Sequence, residues 1–358
     1  MKRPEFSLDL AAVRHNVRAW LGWLAGRELW PVVKSNAYGL GLITVSRACL
    51  EEGAQRLCVV DIAEARELRE NGIREPIVHV WATPPEEFED ALSLRTIVTI
   101  ENERGAQELS RVAVMKGTVA TAHVAIETGT GWSGVPAHRA TMFANAVRAL
   151  PGIRWEGAWT HIAGRDQMLA QVEAFNAALE QLRNFGLPVP FDHVAATAPA
   201  QWGAGGSAVR IGIGLYGASP GGPARNLPLR TALSLRTAVL SVKEFDRPTA
   251  LGYGGTSIAR PGEAVATLRL GYADGMPRSL AVGGMVRING ERCPIVGAIG
   301  MNFTMVKIPF GLTVRPGDTA LVIGDEDGIR IDEVAQRAGT IPHQLVTSFA
   351  ALSARPSV

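Results

Sequence analysis

Residues 29–34 read LWPVVK, a short apolar run that ends in a lysine. Helical patterns such as IAEARELRENG and QVEAFNAALEQLRNFG separate it from later runs of the same kind. Uninterrupted, β-branched-rich hydrophobicity is typical of strands buried on both faces of a parallel sheet. Seven further runs follow the first: RLCVVD (56–61), PIVHVW (76–81), TIVTI (96–100), AHVAI (122–126), WEGAWTHI (155–162), FDHVAA (191–196) and AVRIGIGL (208–215). Eight strands alternating with helices predict a (β/α)8 barrel of the TIM type, although a doubly wound sheet would show the same alternation.

The alternation stops after Gly217, where the Gly/Pro-rich segment ASPGGPARNLPLR (218–230) begins. The later apolar stretches are short, bounded by turns and not separated by helices, which is typical of an antiparallel β domain. They are ALSLRTAVLSV, AVATLRLGYA, GGMVRING, PIVGAIG and TMVKIP, and a helical pattern, IRIDEVAQRAG, follows them. The sequence therefore predicts an α/β chain with a barrel domain at 1–222 and a mostly antiparallel β domain at 223–358.

The composition narrows the class of protein. Lys+Arg number 36 and Asp+Glu 34, so the charge gives no reason to expect nucleic acid or an anionic membrane as a partner. The three cysteines fit no metal or disulfide pattern, the seven histidines show no metal spacing, and no run is long enough to span a bilayer. The start, MKRPEFSLDL, lacks the apolar stretch of a signal peptide. We therefore expect a cytoplasmic protein without a metal site.

Lys34 is the first candidate for chemistry. In a barrel the carboxyl ends of the strands form the active-site face, and Lys34 directly follows the apolar residues WPVV. Desolvation there would favour a neutral amine, which can act as a nucleophile or base. The alternative is a lysine that merely extends into solvent from a strand end.

The segment VVKSNAYGLG closely resembles the pyridoxal-phosphate lysine motif of the alanine racemase family. SLDLAAVRHNVRAW is similar to the opening helix of that family, GAWTHIAGRD to its sixth-strand segment and VRIGIGLYG to its eighth. LGYGGTS, LRLGYADGMPR and VGAIGMNFTMV resemble, in order, three signature stretches of its β domain. The matches run through nearly the whole chain, and the family's fold, a barrel followed by a β domain, is the one predicted from the pattern.

The resemblance implies a pyridoxal-phosphate-dependent amino-acid racemase that works as a homodimer on a small-molecule amino-acid substrate. Lys34 would carry the cofactor and act as one of two bases, and the partner subunit's Tyr253 would be the other. Racemisation needs a base on each face of the planar intermediate, which explains the pair. Tyr272 and Met301, also from the partner subunit, would line the substrate entrance or carboxylate site.

The remaining implied roles concern the cofactor. Arg210 would face the pyridine nitrogen, and His161 would lie beside the ring and form a hydrogen bond with Arg210. This pair could supply the positive charge that a tyrosine base needs near neutral pH. An arginine there donates a hydrogen bond but gives up no proton, so the ring stays a weaker electron sink and transamination is discouraged. The phosphate would be held by four residues: Tyr38, Thr197, where the family usually has Ser, Gly212 and Ile213.

Each residue also has a plainer interpretation. Taken alone, Arg210 could be an ion-paired barrel residue, His161 a core histidine and Tyr253 a turn aromatic. Two segments, GTGWSG (129–134) and GIGLYG (212–217), match the dinucleotide motif G-x-G-x-x-G. The second precedes no helix, and the first lacks an acidic residue at the end of the next strand, so neither has the required context.

The chain departs from the family where the substrate carboxylate should bind. Trp132, in ETGTGWSG, stands where the family usually has an arginine, and Ala125 stands where many members have a modified lysine that supports it. Gly300-Met301-Asn302 replaces Cys-Met-Asp and is closer to broad-specificity amino-acid racemases. No tyrosine follows Tyr272, so the C-terminal tyrosine that commonly contacts the phosphate is missing. We therefore expect intact cofactor binding and a substrate other than alanine.

Two other functions stay open from the sequence. The same fold could catalyse another pyridoxal-phosphate reaction, such as decarboxylation or retro-aldol cleavage, because the lost arginine frees the carboxylate end. The chain could also bind the cofactor with little turnover. The presence of both Lys34 and Tyr253 favours racemisation, since only two-sided proton transfer needs both bases.

Overall fold

A computed structural model describes residues 3–222 and 227–352. Its strands are β1 (Glu5–Leu8), β2 (Glu28–Pro31), β3 (Leu57–Val59), β4 (Ile77–His79), β5 (Ile97–Ile100), β6 (Ala120–Glu127), β7 (Val135–Pro136), β8 (Ile153–Trp159), β9 (Phe191–His193), β10 (Ala208–Ile211), β11 (Leu233–Glu244), β12 (Thr249–Leu251), β13 (Ser257–Ala259), β14 (Ala264–Leu268), β15 (Met285–Ile288), β16 (Glu291–Pro294), β17 (Thr304–Ile308) and β18 (Thr319–Ile323).

Helical segments lie between most of the barrel strands, and two follow the last strand. They are α1 (Leu10–Leu24), α2 (Lys34–Gly39), α3 (Leu42–Glu51), α4 (Ile62–Glu70), α5 (Phe88–Ser93), α6 (Glu103–Met115), α7 (Ala140–Val147), α8 (Met168–Asn184), α9 (Thr197–Gln201), α10 (Ile331–Ala338) and α11 (Pro342–Ala350). Short 3-10 turns cover Pro85–Glu87, Ala137–Arg139, Ile213–Tyr216, Tyr253–Gly255, Tyr272–Asp274 and Arg278–Ala281. None of the helices in the described part of the chain combines the length and apolar character that a bilayer span requires.

Each of the eight apolar runs overlaps one strand of a parallel barrel. Strands β3, β4, β5, β6, β8 and β9 pair in that order, and β10 pairs with β2, all in parallel. Single parallel bridges, Val32 to Cys58 and Ala196 to Arg210, join the two groups and close the ring. The predicted barrel is therefore confirmed, and the open doubly wound alternative is not.

Successive side chains along a barrel strand point alternately outward, towards the helices, and inward, into the barrel, so the buried residues form two layers. Leu57 and Val59 point outward into the large helix-facing core, whereas Cys58 points into the barrel. The apolar filling of the barrel interior is small: Trp30, Val32, Cys58, Val78, Ile97 and Ala208. Because so few apolar side chains fill it, the interior also holds buried polar groups, which matter for the site below.

The second domain is a mostly antiparallel sheet, as predicted. Its strands run in the order β16-β15-β18-β11-β14-β17, and β12 and β13 form a separate ribbon. The prediction of a strand over PIVGAIG was wrong: β16 ends at Pro294, and beyond it only Ile295 forms a bridge, to Val306. Gly297 has a φ of +69°, which interrupts an extended strand there.

The two domains share a sheet. Strand β1, which precedes the barrel, pairs antiparallel with β11 of the second domain, with Leu8 opposite Leu233. Asp9 then caps α1 through hydrogen bonds from the backbone N–H of Ala11 (2.8 Å) and Ala12 (3.2 Å). The N-terminal residues therefore belong structurally to the sheet of the second domain. The predicted boundary between 222 and 223 meets residues 223–226, which lie outside the described residues, as do 353–358.

Candidate active site

Lys34 lies at the carboxyl end of the first barrel strand, and the chain turns sharply after it. Residues 35–38 all have positive φ, between 51° and 65°, a left-handed conformation that costs non-glycine residues roughly 1–2 kcal/mol each. Asn36 stabilises this turn, because its N–H donates to Glu64 (3.1 Å) and its side-chain oxygen accepts from the N–H of Leu42 (2.6 Å). Strain of this kind persists where the surrounding structure enforces it, and it often marks functional segments.

The turn brings Tyr38 to the loop after the last barrel strand. A Cβ on Gly212 would overlap the Tyr38 hydroxyl, so only glycine leaves room there. The hydroxyl of Thr197 accepts from the backbone N–H of Gly212 (3.4 Å) and Gly214 (3.3 Å), and the 3-10 turn starts at Ile213. The four residues expected at a phosphate are thus adjacent. A hydroxyl pair beside backbone N–H groups is suited to an anion.

Arg210 of β10 is buried, but its hydrogen-bond partners differ from those expected. Its guanidinium donates to Nδ1 of His193 (2.8 Å) and to the carbonyl of Thr160 (2.9 Å). Within the described residues it forms no hydrogen bond with His161, so that expectation was wrong. The reason is geometric: the side chain of His193 points into the barrel beside Arg210, one strand earlier.

His193 continues inward to a second histidine. Its Nε2 lies 2.9 Å from Nδ1 of His123, and both rings are fully buried. A guanidinium can only donate, so Nδ1 of His193 must accept and its proton must sit on Nε2. His123 then accepts at Nδ1 and carries its proton on Nε2, which has no partner in the described part of the chain. These successive hydrogen bonds fix the tautomers of His193 and His123 and the position of Arg210.

The charges of the site follow from burial. Burial, followed by the charge of Arg210, lowers the pKa of His161 to about 4, so this ring is neutral near pH 7. Burial also lowers the pKa of Arg210 to about 10, which still leaves it protonated. The positive charge expected from a His161–Arg210 pair therefore comes from Arg210 alone.

Trp132 forms part of an aromatic row at the mouth of the barrel. Its ring stacks on His161 at 5.3 Å, and Trp81 lies 5.8 Å away on the loop after β4. The two tryptophans are 62% and 43% exposed, which is high for such large apolar rings. Gln171 of α8 joins the two loops that carry Trp132 and His161, since its amide donates to Thr128 (3.2 Å) and to the carbonyl of His161 (3.0 Å).

The three residues assigned to the partner's site lie together on the second domain. The N–H of Tyr272 donates to the carbonyl of Gly300, directly before Met301, and the Tyr253 ring lies 6.2 Å from Phe303. Tyr253, Tyr272 and Met301 are 70%, 43% and 55% exposed. They form one exposed face of aromatic and apolar side chains.

Three residues near the site were not singled out from the sequence: His193, Trp81 and His343. Alternation along FDHVAA could have identified His193 as an inward side chain, because its neighbours Asp192 and Val194 point away. Trp81 ends the run PIVHVW, so its place at the barrel mouth was readable as well. His343 carried no signal, since it lies on α11, far along the chain in the other domain.

The donor set suits pyridoxal phosphate at both ends. Gly212 and Ile213, together with the hydroxyls of Tyr38 and Thr197, offer an anion site that we call the Gly212 cradle, and the guanidinium of Arg210 offers a donor for the pyridine nitrogen. Lys34, at the carboxyl end of the first barrel strand, supplies an amine. The residues present therefore fit the cofactor.

Comparison with known proteins gives the same family over both domains. The family model "Alanine racemase, N-terminal domain" matches residues 8–220, and "Alanine racemase, C-terminal domain" matches 232–356. Relatives include an alanine racemase of Desulforamulus reducens, 33% identical over 97% of this chain and 96% of its own length. Another, from Symbiobacterium thermophilum, is 34% identical over 96% and 94%.

Solved structures agree. Alanine racemase from a D-cycloserine-producing Streptomyces lavendulae superposes with a TM-score of 0.88 at 30% identity, covering 98% of this chain and 95% of its own. That of Bacillus anthracis with bound L-Ala-P superposes with a TM-score of 0.82 at 32% identity, covering 98% and 93%.

Proposed function

This chain belongs to the alanine racemase family of pyridoxal-phosphate-dependent isomerases, and we propose that it racemises an amino acid other than alanine, with Lys34 and the partner subunit's Tyr253 as its two bases. The observation that carries the proposal is the convergence, on one face of the barrel, of Lys34, the Gly212 cradle and buried Arg210. The same proposal includes a homodimer in the cytoplasm and a division into a barrel domain at 1–222 and a β domain at 223–358.

The residues divide the chemistry between them. Pyridoxal phosphate, when bound, withdraws electrons from the amino acid and so acidifies its Cα–H bond. Lys34 would take or return the proton on one face of Cα, and the partner subunit's Tyr253 would do so on the other. Arg210, held by His193, would donate a hydrogen bond to the ring nitrogen without giving up a proton and would so limit the electron withdrawal. Tyr38, Thr197, Gly212 and Ile213 would hold the phosphate.

The exposure of the second-domain face supports a dimer. A tyrosine that is 70% exposed in one chain cannot share a desolvated site with Lys34 unless a second chain covers it. Large exposed apolar patches commonly mark protein interfaces. A reciprocal pairing of two copies, each covering the barrel mouth of the other, would bury Tyr253, Tyr272 and Met301.

The proposal of a substrate other than alanine rests on Trp132. An arginine binds a carboxylate through two parallel charge-assisted hydrogen bonds, whereas tryptophan offers one N–H and a large apolar face. Ala125 is buried on β6 and cannot support an arginine as the modified lysine of many family members would. The ring of Trp132 also narrows the mouth beside His161, so a larger side chain that packs on the aromatic row would gain contact area.

Two measurements test the function. Borohydride reduction of the purified protein should fix the pyridoxyl label on Lys34, and a label on another lysine would overturn the site. Incubation with single L-amino acids in heavy water should then give the D-enantiomer with deuterium at Cα and no change in carbon skeleton. Loss of carbon dioxide or of an aldehyde would indicate the decarboxylase or aldolase alternative, which the missing arginine favours. Cofactor binding without turnover would indicate a binding protein.

A further inference from the structure

His343 lies beside the lysine segment although it belongs to the last helix of the second domain. It is the second residue of α11, and its ring lies 5.8 Å from the ring of Tyr38. Helix α11 packs tightly on the segment, because a Cβ on Gly39 would come within 2.6 Å of the Cβ of Ala350. The position of His343 relative to Lys34 is therefore set by close packing between the domains.

The ring of His343 has an unused polar atom. Its Nδ1 is buried and has no hydrogen-bond partner in the described part of the chain. Burial, followed by the charge of Lys34, lowers the pKa of His343, and His343 is itself among the groups that lower the pKa of His161. A buried polar atom without a partner is costly, so a native structure that retains one often uses it for a ligand.

The missing partner should be an anion. The ring of His343 lies 5.8 Å from that of Tyr38 and within electrostatic range of Lys34 and His161, and none of these three side chains carries a carboxylate. The site has also lost two donors that the family resemblance led us to expect, the arginine replaced by Trp132 and the C-terminal tyrosine. A cofactor phosphate or a substrate carboxylate bound there would lack part of its hydrogen-bond shell.

We propose that His343 donates a hydrogen bond to an anionic oxygen bound beside Lys34, either of the cofactor phosphate or of the substrate carboxylate. This proposal rests on the proposed function, because the cofactor and the amino-acid substrate of that function carry the two anions. His343 would replace a lost donor from a different element, and α11 would connect the second domain to the ligand of the same chain.

The test compares His343→Phe, which keeps the ring volume but removes the N–H, with His343→Gln, which keeps an N–H donor. His138→Phe, on an exposed turn of the barrel, is the matched control. Binding of pyridoxal phosphate to each apoprotein is measured by fluorescence titration, and the ³¹P resonance of the bound cofactor is recorded. KM and kcat are measured separately with the best substrate.

We expect His343→Phe to weaken one anion about tenfold or more, as for loss of a hydrogen bond to a charged group, with His343→Gln intermediate and His138→Phe unchanged. A raised dissociation constant with a shifted ³¹P resonance assigns His343 to the phosphate. A raised KM with unchanged cofactor affinity assigns it to the carboxylate. If the wild-type protein binds the cofactor and His343→Phe changes neither the dissociation constant nor KM, the proposal for His343 alone is wrong. If the wild-type protein does not bind the cofactor at Lys34, the proposed function is wrong.

Discussion

At the residue scale, the proposed substrate specificity rests on Trp132. Its ring stacks on His161 at the mouth of the barrel, the place that we propose for the substrate carboxylate. Under the proposed function, a neutral ring there would replace a charge-assisted contact with apolar area, so small substrates would lose more binding energy than large ones. The selectivity of the protein should thus depend on a single side chain that leaves the proton-transfer pair unchanged.

Changing Trp132 to Arg should shift the preference towards alanine. Removing one partner of a buried carboxylate–arginine pair costs roughly 2–5 kcal/mol. The Trp132→Arg protein should gain only part of that energy, because Ala125 offers the new arginine no support. We expect kcat/KM for L-alanine to rise at least about tenfold relative to the best wild-type substrate. Met142→Arg, which adds the same charge on exposed α7, should leave the ratio unchanged. If wild-type enzyme already shows its highest kcat/KM with alanine, the assignment of Trp132 is wrong.

At the element scale, the loop after β10 and the turn after β2 form one unit. Each is shaped by the other, since Gly212 must lack a side chain for Tyr38 to enter. The hydrogen bonds of Thr197 to Gly212 and Gly214 hold the loop in place from a third element, α9. Cofactor affinity should therefore respond to backbone shape here as much as to charge.

Gly212→Ala should weaken cofactor binding, because the new methyl group displaces the Tyr38 hydroxyl. We expect the dissociation constant of pyridoxal phosphate to rise at least about tenfold, as for loss of a hydrogen bond to a phosphate. Adding Tyr38→Phe should restore little of the binding but most of the thermal stability, since it removes the overlapping oxygen. Gly205→Ala, where a Cβ meets nothing within 4 Å, is the control. An unchanged affinity of Gly212→Ala for pyridoxal phosphate would contradict the assignment of the phosphate to the Gly212 cradle.

At the scale of the whole molecule, activity should require two chains. We expect Lys34→Ala and Tyr253→Phe proteins to be inactive alone and to recover activity after subunit exchange. In an equal mixture about half the dimers are hybrids with one intact site each, so activity should reach roughly a quarter of wild type. Mass spectrometry of differently tagged subunits would verify exchange. Exchange without recovery would show that Tyr253 does not act across the interface.

The buried histidines should make the whole fold sensitive to acid. Burial lowers the pKa of His79 to about 4 and of His123 to about 3, below the reference value near 6.5. A depressed folded-state pKa means that the unfolded chain binds more protons, so this stability is complete above pH 6.5 and is lost as the pH falls towards 4. Between pH 7 and pH 5 each such ring should cost about 2 kcal/mol of unfolding free energy.

Urea unfolding at the two pH values would measure this loss. His79→Gln should be less stable at pH 7 but should show a smaller difference between pH 7 and pH 5, since one titrating ring is gone. His138→Gln, at an exposed site, should leave the difference unchanged. An equal difference in wild type and His79→Gln would show that the burial of His79 is not what links stability to pH.

The sequence by itself determined the alternation of strands with helices and the position of Lys34, because both depend on local pattern. It left a doubly wound sheet open, and the parallel bridges of Val32 to Cys58 and of Ala196 to Arg210 decided that the strands close into a barrel. Eight apolar runs separated by helical patterns leave few ways to bury a two-faced strand, and the lysine that ends the first run must lie at the carboxyl edge of the sheet. The family membership was likewise readable from ordered motifs in LWPVVKSNAYG and LRLGYADGMPR. The sequence also singled out Tyr38, Thr197, Gly212 and Ile213, which stand next to strand ends and which the structure brings together.

Only the tertiary structure decided the contacts between distant segments. His193 rather than His161 meets Arg210 because β9 and β10 are neighbours in the closed ring, and inward-pointing side chains on neighbouring strands meet. Strand β1 joins β11, and His343 reaches Tyr38, because the two domains pack against each other across more than two hundred residues of chain. Local patterns determine which face a side chain occupies, whereas the packing of the closed barrel against the second domain determines which side chains share a site.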